Sequence, residues 1–410
     1  MLLACLRSGT PLERTAFRVN PARPAAPPIL VLALLFWGTV CALPVPARAQ
    51  AEHIQQDLLL GTTYLYNRDF HRAEALFLKS IAQAPAHPSG YFYLAMVSWS
   101  QLAAGFWTPE VLDQFEERID RAVDVARRWV DRNETDAGAY FYLGGALGFK
   151  GRYLLMQQSY FSAFMAALRA VEALETCRKL DPGNRDVLFG LGTFEYYTAK
   201  LSGILRFLSA FLIHPPDRQE GLRKLHLAAE EGTATRFEAR SLLLHIYLFM
   251  EDDPVRALPI AEDLNRRFSR NPRFTYLLGV ARMRAGLDVE AVLELLKQRR
   301  NETPVPENKL IWDHMRLYLL ATQALREGRP ADARGLLKTV LARVDPVQDP
   351  FMAAFPLVKA GMSHDLQGDR EIALDLYERV RSMENGAGGQ FLAEKYFEQP
   401  IHRDDPFLAY

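Results

Sequence analysis

Residues 57–85 (DLLLGTTYLYNRDFHRAEALFLKSIAQAP) constrain the fold more than any other stretch of this chain. Apolar residues recur at helical spacing on both sides of Asn67-Arg68-Asp69, a run of turn formers, and Pro85 stops the second half. Gly61 and Ala73 carry almost no bulk, so two antiparallel helices can approach closely, with Leu60, Tyr64 and Phe77 filling the seam. Such a hairpin cannot bury its apolar surface alone, so it must stack on others like it.

The order and spacing of Leu60, Gly61, Tyr64, Ala73, Phe77 and Pro85 resemble the tetratricopeptide repeat, departing at Asp57, where that family often has Trp. The resemblance implies an all-α, right-handed solenoid in which the first helix of each hairpin lines a concave groove. A series of small residues supports the reading: Ala73, Ala122, Ala170, Gly221, Ala257, Ala291, Ala333 and Ala373. Later gaps approach the family period of about 34 residues and earlier ones are longer, so we expect about eight helical hairpins with insertions in the first half. Leu278-Gly279 with Ala291 and Leu295 places a seam in the sixth repeat; Ala360-Gly361 with Ala373 and Tyr377 places one in the eighth. His245 stands where the fifth should have a small residue. Thr108-Pro109 and Asp253-Pro254 read as helix starts, an N-cap oxygen before a proline. Loops are expected at 301–309 and 345–350. Gly386–Gly389 should precede a terminal helix over 390–398 that covers the open end of the core.

The first 49 residues read as a secretory leader: arginines, then the apolar run 29–37, then the small-x-small site Ala47-Arg48-Ala49. The apolar run is short for a span, which needs about 20 residues. A cleaved signal is the leading expectation, with cleavage after Ala49; an uncleaved anchor and a transit peptide stand as alternatives. The expected divisions are therefore a leader over 1–49, a solenoid over 50–398 and a C-terminal tail over 399–410. The whole chain balances 49 Lys and Arg against 49 Asp and Glu, and nothing in it forms the basic stripe that nucleic acid would call for. Past the leader only Cys177 remains, on the apolar face of a helix and expected as a core residue.

No metalloprotease, nucleophile-elbow, phosphate-loop or clustered Cys/His motif occurs. His226 and Glu230, at i,i+4, lack a third ligand and read as a surface pair, and His364-Asp365 reads the same way. Asn133-Glu134-Thr135 and Asn301-Glu302-Thr303 match the glycosylation sequon, which matters only in a eukaryotic source. We therefore expect neither catalysis, metal nor cofactor. In the segment 198–217, Leu201, Leu205, Leu208, Phe211 and Leu212 fall on one helical stripe; an extra buried helix is the leading reading, a membrane or partner contact the other.

By the resemblance, the groove would be lined by Tyr66, Phe92, Met96, Trp99, Phe141, Phe149, Phe189, Tyr196 and Tyr197, continued by Tyr276, Met283 and Tyr318. Leu58 and Thr62 stand where relatives that grip carboxylate tails have a clamp. The expectation is an exported, periplasmic or envelope-associated scaffold holding an extended or helical protein segment with partly exposed aromatic anchors. A membrane-attached structural protein and an accessory domain of an enzyme are the alternatives.

Overall fold

The computed structural model describes residues 45–157, 159–200, 216–303 and 306–410. Residues 53–410 form one compact unit. Among the described residues there are seventeen α-helices and no strand. Sixteen pair as eight hairpins: α1 (Val45–Tyr66) with α2 (Phe70–Gln83), α3 (Pro88–Ala103) with α4 (Pro109–Val130), α5 (Ala137–Met156) with α6 (Tyr160–Leu180), and α7 (Val187–Ala199) with α8 (Arg218–Glu231). Next come α9 (Arg236–Phe249) with α10 (Pro254–Arg267), α11 (Pro272–Arg284) with α12 (Glu290–Glu302), α13 (Pro306–Arg326) with α14 (Pro330–Leu341), and α15 (Pro350–Asp365) with α16 (Arg370–Arg381). A final helix, α17 (Gly389–Glu398), follows the glycine run and packs on α15 and α16.

Every small-residue marker lies in a second helix. The extra length of the first half is mostly longer helices: α4, α5 and α6 have 22, 20 and 21 residues, against 12 in α14 and α16. Thr108 and Asp253 cap their helices as expected, each accepting from a backbone N–H three residues on, with proline next in line. The first expected loop is shorter than 301–309, since α12 runs to Glu302 and α13 starts at Pro306.

The eighth hairpin shows how a seam is built. A methyl group added at Gly361 would lie 2.5 Å from Cε1 of Tyr377, so only glycine lets α15 and α16 close around that ring. Two details depart from expectation. In the first hairpin Leu58, not Leu60, is buried, and Leu60 is 46% exposed. In the sixth, Ala291 is exposed and the seam is made one residue later, by Val292 and Leu296. Gly279 does not face Ala291; it meets Leu319 of the next hairpin. Both slips have the same cause: the apolar spacing admits more than one register, two residues apart at Leu58 and Leu60 and one apart at Ala291 and Val292, and packing selects between them.

The stack turns back on itself. Tyr66, at the end of α1, stacks on Phe268 at 4.8 Å and Phe274 at 6.3 Å, and its hydroxyl donates to Glu238 at 2.7 Å. Asn271 Nδ2 donates to the Tyr66 carbonyl at 2.9 Å. From the α3–α4 turn, the Trp107 carbonyl accepts from Asn385 Nδ2 at 2.6 Å. The first two hairpins therefore touch the fifth, sixth and eighth, and the inner face becomes an interior wall.

Candidate binding groove on the inner face

The first helices of the second to fourth hairpins, α3, α5 and α7, are apolar on most sides, as helices packed on both flanks must be. Their aromatic residues meet in a chain. Phe92 lies 6.2 Å from Phe149, Phe149 lies edge-on to Trp99 at 5.2 Å, and Trp99 lies 5.5 Å from Phe115 of α4. The Arg152 guanidinium sits over Trp99 at 5.1 Å, a cation held against a ring face. Phe92, Met96, Phe141 and Phe189 are buried, as are Trp99 and Phe149 at 8% and 9% exposure.

The expectation of partly exposed rings is therefore corrected for Trp99 and Phe149. Side chains of α3, α4 and α5 pack around them, so their first role is packing. Tyr196 belongs elsewhere: it is fully buried, its backbone lies against Gly221, and its hydroxyl donates to Glu251 at 2.5 Å. Tyr66 belongs to the closing contact just described. Tyr197 differs from these. It is only partly buried, lies edge-on to Tyr196 at 5.4 Å, and falls within the electrostatic reach of both Arg152 and Tyr410.

Glu251 marks a second feature. Burial alone would raise its carboxyl, but bonds from Tyr196, Lys200 and Arg218 hold it below the ordinary value. Lys200 and Arg218 flank the segment whose Leu201, Leu205, Leu208, Phe211 and Leu212 lie outside the described residues.

In the later hairpins the inner face carries side chains that the aromatic reading did not anticipate. Burial, then the charges of Arg273 and Arg152, push His245 down to about 3. The Lys359 ammonium is fully buried, 4.4 Å above the Tyr318 ring, and donates to Thr322 Oγ1 at 2.7 Å. Desolvation holds it well below lysine's ordinary value. Tyr276 lies 5.7 Å from Tyr318. The last residues of the chain lie against these groups. Between Arg273, Leu277, Met315, Phe351 and Tyr410 a void of about 10 Å³ remains, room for one water at most. A signal for this lay in the sequence: Pro406-Phe407-Leu408-Ala409-Tyr410 is an apolar ending, and Lys359 is a lone cation in an otherwise apolar helix.

The residues weighed for chemistry occupy structural posts. His226 Nε2 is bonded to the Tyr247 hydroxyl at 2.6 Å. Asp365, whose side chain is 0% exposed, accepts from Arg370, from the Tyr377 hydroxyl at 2.9 Å, and from the Ile401 N–H at 3.4 Å. Cys177 is buried, and desolvation pushes its thiol up to about 11, the state of a core residue rather than a nucleophile. Among the described residues no three His, Cys, Asp or Glu side chains gather where they could hold a metal ion. Among them, too, no helix is long and apolar enough to cross a membrane.

Residues 58–102 match the family model described as tetratricopeptide repeat. That segment carries a tetratricopeptide repeat, set in an all-α, tetratricopeptide-like fold. The matched segment is the α1–α2 hairpin with α3, where the sequence signal is densest; the other tetratricopeptide-like hairpins are seen in the helix order. No curated protein matches the chain's sequence. Among solved structures, yeast Tom70 is 13% identical, covering 87% of this chain and 91% of its own, with a TM-score of 0.37. The human IFIT1 dimer with m7Gppp-AAAA is 15% identical, covering 76% and 67%, with a TM-score of 0.32. The P58(IPK) TPR domain is 14% identical, covering 84% and 98%, with a TM-score of 0.22.

Proposed function

We propose that this protein is a non-catalytic scaffold of the bacterial cell envelope, where it holds an extended or helical segment of another protein against its inner face. Proteins of this architecture typically bind protein partners, and a hydrophobic wall with a few placed polar groups suits a peptide. The observation that carries the reading is Tyr197 on the first helix of the fourth hairpin, which is only partly buried, lies edge-on to Tyr196 and falls within the electrostatic reach of Arg152. Aromatic rings and arginines are the side chains on which interface energy concentrates. Trp99, Phe92, Met96, Phe141, Phe149 and Phe189 are buried in the first helices of the early hairpins and serve the reading as packing rather than as contacts.

The envelope setting rests on the leader. The mature chain is expected to begin at Gln50, and N-terminal sequencing of the exported protein checks it; an intact leader in the membrane fraction would favour an anchored protein instead. The binding claim is tested by a photo-crosslinking residue at position 197, compared with one at exposed Phe161, in the native envelope. One dominant adduct at 197 that is absent at 161 is expected, and equal labelling at both would count against the inner face.

A further inference from the structure

The described chain ends inside its own second half. After α17 it runs through exposed residues at His402, Arg403 and Asp404, then makes a 3-10 turn over Pro406–Ala409. Leu408 and Ala409 are 1% and 0% exposed. Their main-chain carbonyls are held by side chains of two first helices: Lys359 Nζ of α15 donates to the Leu408 oxygen, and the Tyr276 hydroxyl of α11 to the Ala409 oxygen, each at 3.1 Å. The Tyr410 ring lies 4.8 Å from Phe249 and 5.5 Å from His245, both edge-on, and 5.3 Å from Phe355. Phe407 stacks on Phe249 at 5.9 Å.

This is how a groove recognises a peptide. Two carbonyls of the segment are bonded, which any sequence supplies, and one aromatic residue fills a pocket, which selects among sequences. The wall belongs to α9, α11, α13 and α15, the first helices of their hairpins, and the exposed stretch 402–404 links the occupant to α17. Lys359 makes the strongest case. Its ammonium has a hydroxyl, a ring face and a carbonyl of the tail as partners, with no carboxylate among its bonds. Without a segment in place, the Lys359 amine would lose one of its few polar partners in an apolar wall.

We propose that the inner face of the last four hairpins is a peptide-binding groove that the chain's own C-terminal segment occupies as a self-ligand, and that its external ligand is a partner segment of like chemistry: apolar, with an aromatic residue two positions after the carbonyl that Lys359 holds and one after the carbonyl that Tyr276 holds. This deepens the proposed function and rests on it, since it names the kind of segment bound and what competes with it.

The test uses a labelled peptide of residues 401–410 and two forms of the full chain: one shortened after Pro400, and one with a protease site at 402–404 that is cut only after folding. Both forms should bind the peptide, while the intact chain binds at least about tenfold more weakly. Peptides with Tyr410→Ala or Phe407→Ala should bind at least about tenfold more weakly than the parent, as for hot-spot side chains. The Lys359→Met chain, cut in the same way, should lose affinity as well. If the cut chain stays folded yet never exchanges its tail for excess peptide, the tail is a permanent part of the core and the proposal is overturned. Unfolding of both opened forms would overturn it too, as would pairing of two copies through swapped tails. Crosslinking at position 197 can succeed in any of these cases, so failure here is separable from failure of the scaffold reading.

Discussion

Single residues decide where the seams fall. Val292, buried between α12 and its neighbours, should cost about 2 kcal/mol when cut to alanine, whereas Ala291→Leu on the exposed side should stay within about 0.5 kcal/mol of the parent. Denaturant melts of the two variants check this, and the reverse order would restore the register one residue earlier. His314 carries a pH prediction. Neither of its ring nitrogens has a hydrogen-bond partner among the described residues, and burial pushes it down to about 4 from an ordinary 6.5. Between those values the unfolded chain binds a proton that the folded chain refuses, so stability falls as pH drops through that window. His245, held at about 3, adds to the same slope from the same side. Replacing His314 by Phe should flatten the loss between pH 6.5 and 4, read from melts across that range. An unchanged slope would show that the ring is hydrated and titrates freely.

The helices themselves were legible in the sequence, because turn chemistry and small residues state themselves locally. Thr108, Asp253, the glycine run before α17 and all eight second helices stand where those signals put them. What periodicity could not supply was the role of each aromatic. Tyr196 and Tyr197 are adjacent on one helix, yet one is sealed beside Gly221 and the other is only partly buried. That choice is made by α8 and by the returning second half, contacts distant in sequence. The tail was harder still: the twelve residues past the terminal helix read as a tail, and the packing shows Leu408 and Ala409 fully buried. Asp365 ties the last elements together, holding α16 through Arg370 and the start of the tail through the Ile401 N–H. Asp365→Asn should therefore lower stability by about 3 kcal/mol, the scale of a broken buried pair. It should also speed amide exchange in residues 401–410 more than in α3 or α5. Uniform exchange would show that the tail is held without it.

For the whole molecule, the consequence of closure is that a solenoid, usually an open surface, keeps most of its aromatic wall inside. Trp99→Ala should then behave as a core truncation, costing about 3–5 kcal/mol, and cannot report cleanly on binding. Tyr197 can. The most direct test of the scaffold reading measures two quantities on the Tyr197→Ala chain: its affinity for the partner crosslinked at that position, and its free energy of unfolding. The account predicts a loss in binding of at least about 2 kcal/mol with a clearly smaller loss in folding. Unaltered binding beside a large drop in stability would contradict it, and would make the inner face of this protein a core and nothing more.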